Sequence, residues 1–297
     1  HIEAVKILYK HGADADIHTT TKDGWTPLHA ASESGHLEVV KFLYEHGAAV
    51  DIHTTTKGGM TPLCAVSYLG HLEIVKFLCQ HGNDIHIHTM AEDGWTLLHL
   101  ASDSGHLAVV MFLLDHGASI EAKDSCERTS LFLASAKGRI EVIQYLLARG
   151  AVADTVDRYG STPVFAAVRN GHQMAAAYFL CFQAAYVYFE DGFGQTLLWW
   201  AKKSGNTQLL KDVIQFARMR GIKICDDDSV VEASSMAIGG SNRWCDVCTR
   251  FFPPESAYHL CSICQGANFD ICLECFEMGA RCLDGSHELT LHEATVL

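Results

Sequence analysis

A threonine recurs down this chain at nearly fixed intervals, and that periodicity constrains the fold more than any other feature. Thr26, Thr61, Thr96, Thr129, Thr162 and Thr196 lie 35, 35, 33, 33 and 34 residues apart. Around the first runs Gly24-Trp-Thr-Pro-Leu-His-Ala-Ala-Ser-Glu-Ser-Gly-His-Leu-Glu-Val-Val-Lys-Phe-Leu-Tyr-Glu-His-Gly47, and three further copies keep clear identity to it. His1-Ile-Glu-Ala-Val-Lys aligns with His36-Leu-Glu-Val-Val-Lys, so a truncated seventh copy opens the chain. Each position has a physical reason. Thr26 is suited to cap a helix through its hydroxyl, and Pro27 to the first helical position, where no amide partner is needed. Gly35 suits a left-handed residue ending that short helix. Leu37, Val40 and Leu43 give a second helix one apolar face, and Gly47 ends it. One such helix pair cannot bury its own apolar face, so neighbours have to stack.

These phrases, with a Thr-Pro-Leu-His start, a central Gly-His and a terminal His-Gly-Ala, resemble the ankyrin repeat from residue 1 to about 222. The resemblance implies a mainly α fold, a solenoid of helix pairs with an extended concave face for a protein partner. Proline is replaced in some copies, as by Ser130 and by Leu197 in the last, so those helix starts are less well specified. The last copy ends in a charged run, Lys211 to Arg220, which suits a terminal repeat with a solvated outer face.

Composition narrows the function. Hydrophobic residues make up 48% of 297 residues, enough for cores, yet no stretch approaches the ~20 apolar residues of a membrane span. The first residues carry no basic n-region and no initiator Met, so no signal peptide is expected; an upstream part is read as missing, and the address as intracellular, cytoplasm or nucleus. Net charge is −13, and from Asp226 onward twelve acidic residues face three arginines, a net of −9. Such a surface repels phosphate backbones and attracts cationic peptides, which argues against nucleic acid as partner.

Cysteine and histidine usage separates two regions. Cys64, Cys79, Cys126, Cys181 and Cys225 are scattered singly, whereas seven of the twelve cysteines fall between Cys245 and Cys282. Clustered pairs without a secretory signal point to metal thiolates in a reducing compartment. Of 18 histidines, all but His259, His287 and His292 belong to the repeat's own grammar. His18, His53 and His88 recur in the inter-repeat fingers. Helices one repeat apart lie roughly 8–10 Å from each other, too far for two nitrogens to share a zinc at about 2.1 Å. They are read as solvated finger residues. Cys64 stands where His29 and His99 stand in other copies and is read as a small buried residue, not a nucleophile.

Residues 223–242, acidic at one end and Gly-Ser-rich at the other, read as a tether. Beyond it come the pairs Cys245/Cys248, Cys261/Cys264 and Cys272/Cys275, followed by Cys282 and His287. Eight ligands suffice for two tetrahedral zinc ions, and a segment of this size needs metal to supply folding energy. Their order, with Phe269-Asp-Ile-Cys-Leu-Glu-Cys-Phe276, Gly279 and His287-Glu-Leu289, resembles the ZZ zinc finger over 243–297. The resemblance implies a cross-brace, with Cys245, Cys248, Cys272 and Cys275 on one zinc and Cys261, Cys264 and the last pair on the other. That last pair is Cys282 with His287, or His287 with His292. It also implies an acidic pocket at Asp246, Asn268 and Asp270 that holds a basic peptide or an N-terminus. Asn268 replaces a frequent aspartate, and the Cys264-to-Cys272 loop is longer than usual in the family.

The expected function is a non-enzymatic scaffold or adaptor, one partner on the repeats and a second, basic peptide on the zinc module. The alternatives are the substrate-recognition part of a ubiquitin ligase, or the regulatory array of a larger sensor. A RING ends in Cys-x-x-Cys, which the last ligand pair here does not match.

Overall fold

The computed structural model describes residues 2–12, 16–81, 87, 89–182, 190–219, 245, 257–261, 269–278, 280, 281 and 287–292. The chain forms two compact units, residues 1–124 and 125–297.

In the first unit, α1 (Ile2–Lys10) precedes three helix pairs: α2 (Pro27–Glu33) with α3 (Leu37–Glu45), α4 (Pro62–Leu69) with α5 (Leu72–His81), and α6 (Leu97–Ser104) with α7 (Leu107–Asp115). First helices pack on first helices, α2 on α4 and α4 on α6, while α1, α3, α5 and α7 pack in a second row. The apolar stripe of each second helix fills the core between the rows. Val39, Val40 and Leu43 on α3, Ile74, Val75 and Leu78 on α5, and Val109, Val110 and Leu113 on α7 are all buried.

The second unit repeats this plan with α8 (Ser130–Ala136) and α9 (Ile140–Ala148), α10 (Pro163–Arg169) and α11 (Gln173–Phe182), and α12 (Leu197–Lys203) and α13 (Thr207–Met219). It also holds β1 (Tyr258–Cys261), β2 (Phe269–Cys272), α14 (Leu273–Glu277) and β3 (Thr290–His292). The strands make an antiparallel sheet in the order β2-β1-β3. The stretch 223–242 lies outside the described residues.

Helix starts follow the threonine. Thr26, Thr61, Thr96, Thr129 and Thr196 each accept the amide of the residue three positions on, at 3.2–3.3 Å. A cap of this kind is worth about 1 kcal/mol. At Ser130 and Leu197, starts without proline that the sequence left less specified, the threonine hydroxyl makes the cap, as it also does before Leu97. Thr162 makes no side-chain cap bond, and Pro163 begins that helix. His29 completes a reciprocal cap: its Nδ1 accepts from the Thr26 amide at 3.3 Å, and its Nε2 meets the Met60 carbonyl of the next repeat at 3.1 Å. Burial lowers the His29 pKa, which keeps the ring neutral for both bonds.

The central Gly-His has a structural use that the sequence did not disclose. Gly35 has φ +72°, and a Cβ there would stand 2.7 Å from Cε1 of His71, one repeat later. The His71 Nε2 meets the Glu33 carbonyl at 3.0 Å. His172 sits likewise at Gly138, with Nε2 2.9 Å from the Ala136 carbonyl. Each such ring covers the end of the preceding repeat's first helix and bonds a carbonyl that the helix leaves open.

Finger turns close by the amide five residues before the recurrent threonine, as in Thr56 N to Met60 O at 3.0 Å and Asp157 N to Ser161 O at 2.9 Å. Three pairs of adjacent fingers are joined by a backbone bond: Lys57 N to Asp23 O at 2.9 Å, Arg158 N to Cys126 O at 2.9 Å and Gly192 N to Tyr159 O at 2.8 Å. The turn residue two before the threonine has positive φ and is glycine at 24, 59, 94, 160 and 194, but Glu127 takes that place at φ 61°.

Candidate metal centre

Strand β2 ends at Cys272 and α14 begins at the next residue, so Cys275 follows in the first turn of a helix. Going straight from strand to helix brings these two sulfurs to one side. Cys245 joins them, and the three sulfurs lie within 4.8 Å of one another. Cys245 and Cys275 are buried and Cys272 is half-buried. The Cys272 amide donates to the Cys245 Sγ at 3.4 Å, which stabilises negative charge on that sulfur. Zinc–sulfur arms of about 2.3 Å set tetrahedral corners about 3.8 Å apart, so this triangle fits one face of a zinc tetrahedron with little contraction. Among the described residues it is the one group of three His, Cys, Asp or Glu donors that converges.

These are three of the four ligands expected for the first ion. The fourth, Cys248, lies outside the described residues. Of the second set, Cys261 closes β1 opposite Phe269, His287 is half-buried three residues before β3, and Cys264 and Cys282 lie outside the described residues. Of the expected peptide-binding residues, Asp246 and Asn268 lie outside them too, and Asp270 stands on β2 opposite Leu260.

His292 has another occupation. It pairs with Tyr258 across the sheet, and the two rings stack at 5.0 Å. Tyr258 in turn pairs with Cys272, so the tyrosine stands between the histidine and the first cysteine cluster. Along the ladder, His292 is three rungs from Cys261, or about 10 Å at 3.3 Å per residue.

On the opposite face of β1, His259 stacks on Phe276 at 3.6 Å, and the Arg281 guanidinium lies 4.7 Å from the same phenyl ring. Burial first, then Arg281, lowers the His259 pKa.

The single cysteines of the repeats are chemically quiet. Cys64 and Cys126 are fully buried thiols, and burial raises the Cys64 pKa and pushes that of Cys79 up to about 11. The described finger histidines, His18 and His53, are exposed, as expected of solvated finger residues. The His18 Nδ1 meets the Asp51 carboxylate of the next finger at 2.9 Å, and Asp51 is buried. A pairing one repeat apart was not visible in the copied motif, because the motif shows identity and not adjacency. His53 is described among its own finger residues, and His88 lies outside the described residues.

The sequence reading also missed a buried polar cluster in the second unit. The Asp191 carboxylate accepts the Trp200 indole N–H at 2.7 Å and lies 3.8 Å from the Arg169 guanidinium. Arg169 also donates to the Ser161 hydroxyl and stacks 4.4 Å from the Trp200 ring centroid. In the same region the Asp157 Oδ1 accepts the Tyr159 and Ser161 amides at 3.0 and 2.8 Å. Burial raises the Asp157 pKa to about 6, against the pull of Arg128 and Arg169.

The ankyrin-repeat profile matches in three copies, over residues 1–54, 48–124 and 121–189. The chain belongs to the ankyrin-repeat family. Ankyrin repeats are protein-interaction modules, and this chain is accordingly an interaction scaffold. The match stops at residue 189, and no zinc-finger family matches the C-terminal cysteines. No curated protein matches the chain. Among the described residues, no helix is long and apolar enough to cross a membrane.

Proposed function

We propose that this ankyrin protein is a non-enzymatic, intracellular adaptor whose C-terminal segment is a two-zinc module of the ZZ type. The observation that carries the reading is the convergence of Cys245, Cys272 and Cys275. Residues 27 positions apart meet there, as a cross-brace demands and as a plain tail would not. Cys248 completes that ion. Cys261, Cys264, Cys282 and His287 hold the second, and the stacking of His292 on Tyr258 favours Cys282 over His292 as the partner of His287. Zinc supplies folding energy here and no catalysis, since four protein ligands leave no open position.

A protein partner binds the ankyrin array, where the half-buried Trp25, Met60 and Trp95 precede the first helices and Tyr68 and Leu69 are 45% and 38% exposed at the end of α4. A basic peptide or free N-terminus binds the acidic module, with Asp246, Asn268 and Asp270 as its contacts.

Elemental analysis of the purified chain tests the metal reading. Two zinc ions per chain are expected, one in Cys272→Ser or Cys282→Ser, and two in His292→Ala. A metal-free chain whose segment beyond residue 243 is equally ordered in chelator refutes it. A peptide array on the full chain then tests the basic-peptide preference, with Asp270→Asn expected to weaken capture.

A further inference from the structure

We infer that the C-terminal module docks in cis on the finger edge of its own last repeats, with Tyr159 as the anchor. This rests on reading the segment from Cys245 as a metal module. Tyr159 lies at a finger tip, three residues before the recurrent threonine. The other fingers place Asp23, Gly58, Asp93 and Cys126 there, and only the last two carry aromatics, Tyr159 and Phe193. Those two rings stack at 5.9 Å. An aromatic pair at a finger tip would ordinarily face water, yet Tyr159 is only 9% exposed.

What covers it is the module. The Tyr159 hydroxyl donates to the Arg281 carbonyl at 3.1 Å, across 122 residues of sequence. Cys245 is close enough to contribute to the raised pKa of the phenol, after burial and the Cys126 thiol. The anchor is rigid from both sides. On the repeat side, Gly192 approaches so near that a Cβ there would stand 2.5 Å from the Tyr159 carbonyl. On the module side, Arg281 donates to the Ala280 carbonyl at 2.7 Å, and the Ala280 amide donates to the Cys275 carbonyl at 2.9 Å. Three hydrogen bonds thus link Tyr159 to a cysteine of the metal cluster.

Charge favours the same occupant. Residues 125–225 hold twelve Lys and Arg against seven Asp and Glu, a net of +5, while the part from Asp226 onward carries −9. Opposite fields joined through one chain favour docking at high effective concentration.

The test uses the full chain with Tyr159→Phe, which keeps the ring stack, and Tyr159→Ala, which does not. Zinc release to a chelator is expected to quicken roughly two- to tenfold in the first, the worth of one hydrogen bond, and more in the second. After chelation, amides of 157–161 and 191–195 are expected to exchange faster, independently of protein concentration. If zinc is bound but leaves all three proteins at one rate, with those amides unmoved, docking is overturned while the metal reading stands. A concentration-dependent effect overturns the cis arrangement in favour of a second copy's module. If the chain carries no zinc, the metal reading fails separately. Docking is then decided by exchange over 269–281 in untreated Tyr159→Ala, where unchanged protection overturns it.

Discussion

Replacing Gly35 by alanine separates backbone strain from the interlock between repeats. Two costs arise. The first is local: at φ +72° a Cβ is disfavoured, and after the smaller unfolded-state entropy of alanine this leaves about 1 kcal/mol. The second comes from the neighbour. The new Cβ would stand 2.7 Å from Cε1 and 3.0 Å from both nitrogens of His71, so the imidazole has to leave. Its bond to the Glu33 carbonyl, worth about 1 kcal/mol, goes with it, together with some ring packing. The sum is roughly 2–3 kcal/mol. Gly171 supplies the control. It occupies the same turn at φ +75°, but its successor repeat has Asn206 in place of histidine, and nothing comes nearer than 3.8 Å to a Cβ. Gly171→Ala is therefore expected to cost about 1 kcal/mol. The assay is urea unfolding of both single variants, then a double-mutant cycle of Gly35→Ala with His71→Ala. Removing the ring should make the alanine cheap, with a coupling of about 1–2 kcal/mol. Equal costs at Gly35 and Gly171, or a cycle that closes at zero, would refute the reasoning.

Three further outcomes follow from the geometry. Glu127→Gly relieves the one non-glycine at the finger-turn position with positive φ and should stabilise the chain by about 0.5–1 kcal/mol, read as a higher urea midpoint. Arg169→Met removes the cation beside the buried Asp191 carboxylate, leaving it the Trp200 indole and the Phe193 and Gln195 amides, and should destabilise the second unit by about 3 kcal/mol. Asp157 holds its proton more tightly when folded, at about 6 against 3.8, so its contribution is fully present below pH 4 and is lost as pH rises through 6. Buried His29 and half-buried His172 act with the opposite sign, being disfavoured as pH falls below 6.5, so the total profile is a poor readout. The stability difference between wild type and Asp157→Asn isolates the carboxyl and should change across pH 4–6; a flat difference would count against the burial argument.

Repeat number, helix starts and the core stripe were legible because each is a local consequence of residue type. Threonine caps, glycine turns and a three-residue apolar spacing act within one turn of chain. The Cys-x-x-Cys pairs are local in the same sense, whereas the nearness of Cys245 to Cys272 and Cys275 is not, and only the family resemblance implied it. Contacts between repeats were not legible. The lid formed by His71 on Gly35, the pairing of His18 with Asp51 and the cluster around Arg169 all join one repeat to the next. A motif copied along a chain reports what each copy contains and is silent on which atom of one copy touches the next. A trace was present even so. Arg169 falls where other copies have Glu33 or Tyr68 at a helix end, and a lone arginine there already signalled a partner of opposite charge.

The histidine lid gives the array a polarity. At Gly35, Gly70 and Gly138 a repeat offers a bare glycine on its trailing side and the next brings an imidazole on its leading side, like a tenon cut for the mortise behind it. Every copy keeps that glycine, at 35, 70, 105, 138, 171 and 205, so duplication of whole repeats never sets a Cβ beneath a ring, and what varies is whether the incoming repeat carries the histidine. Reordering these repeats by engineering should therefore keep the seam wherever the incoming repeat carries the histidine, and loosen it where Asn206 comes in its place.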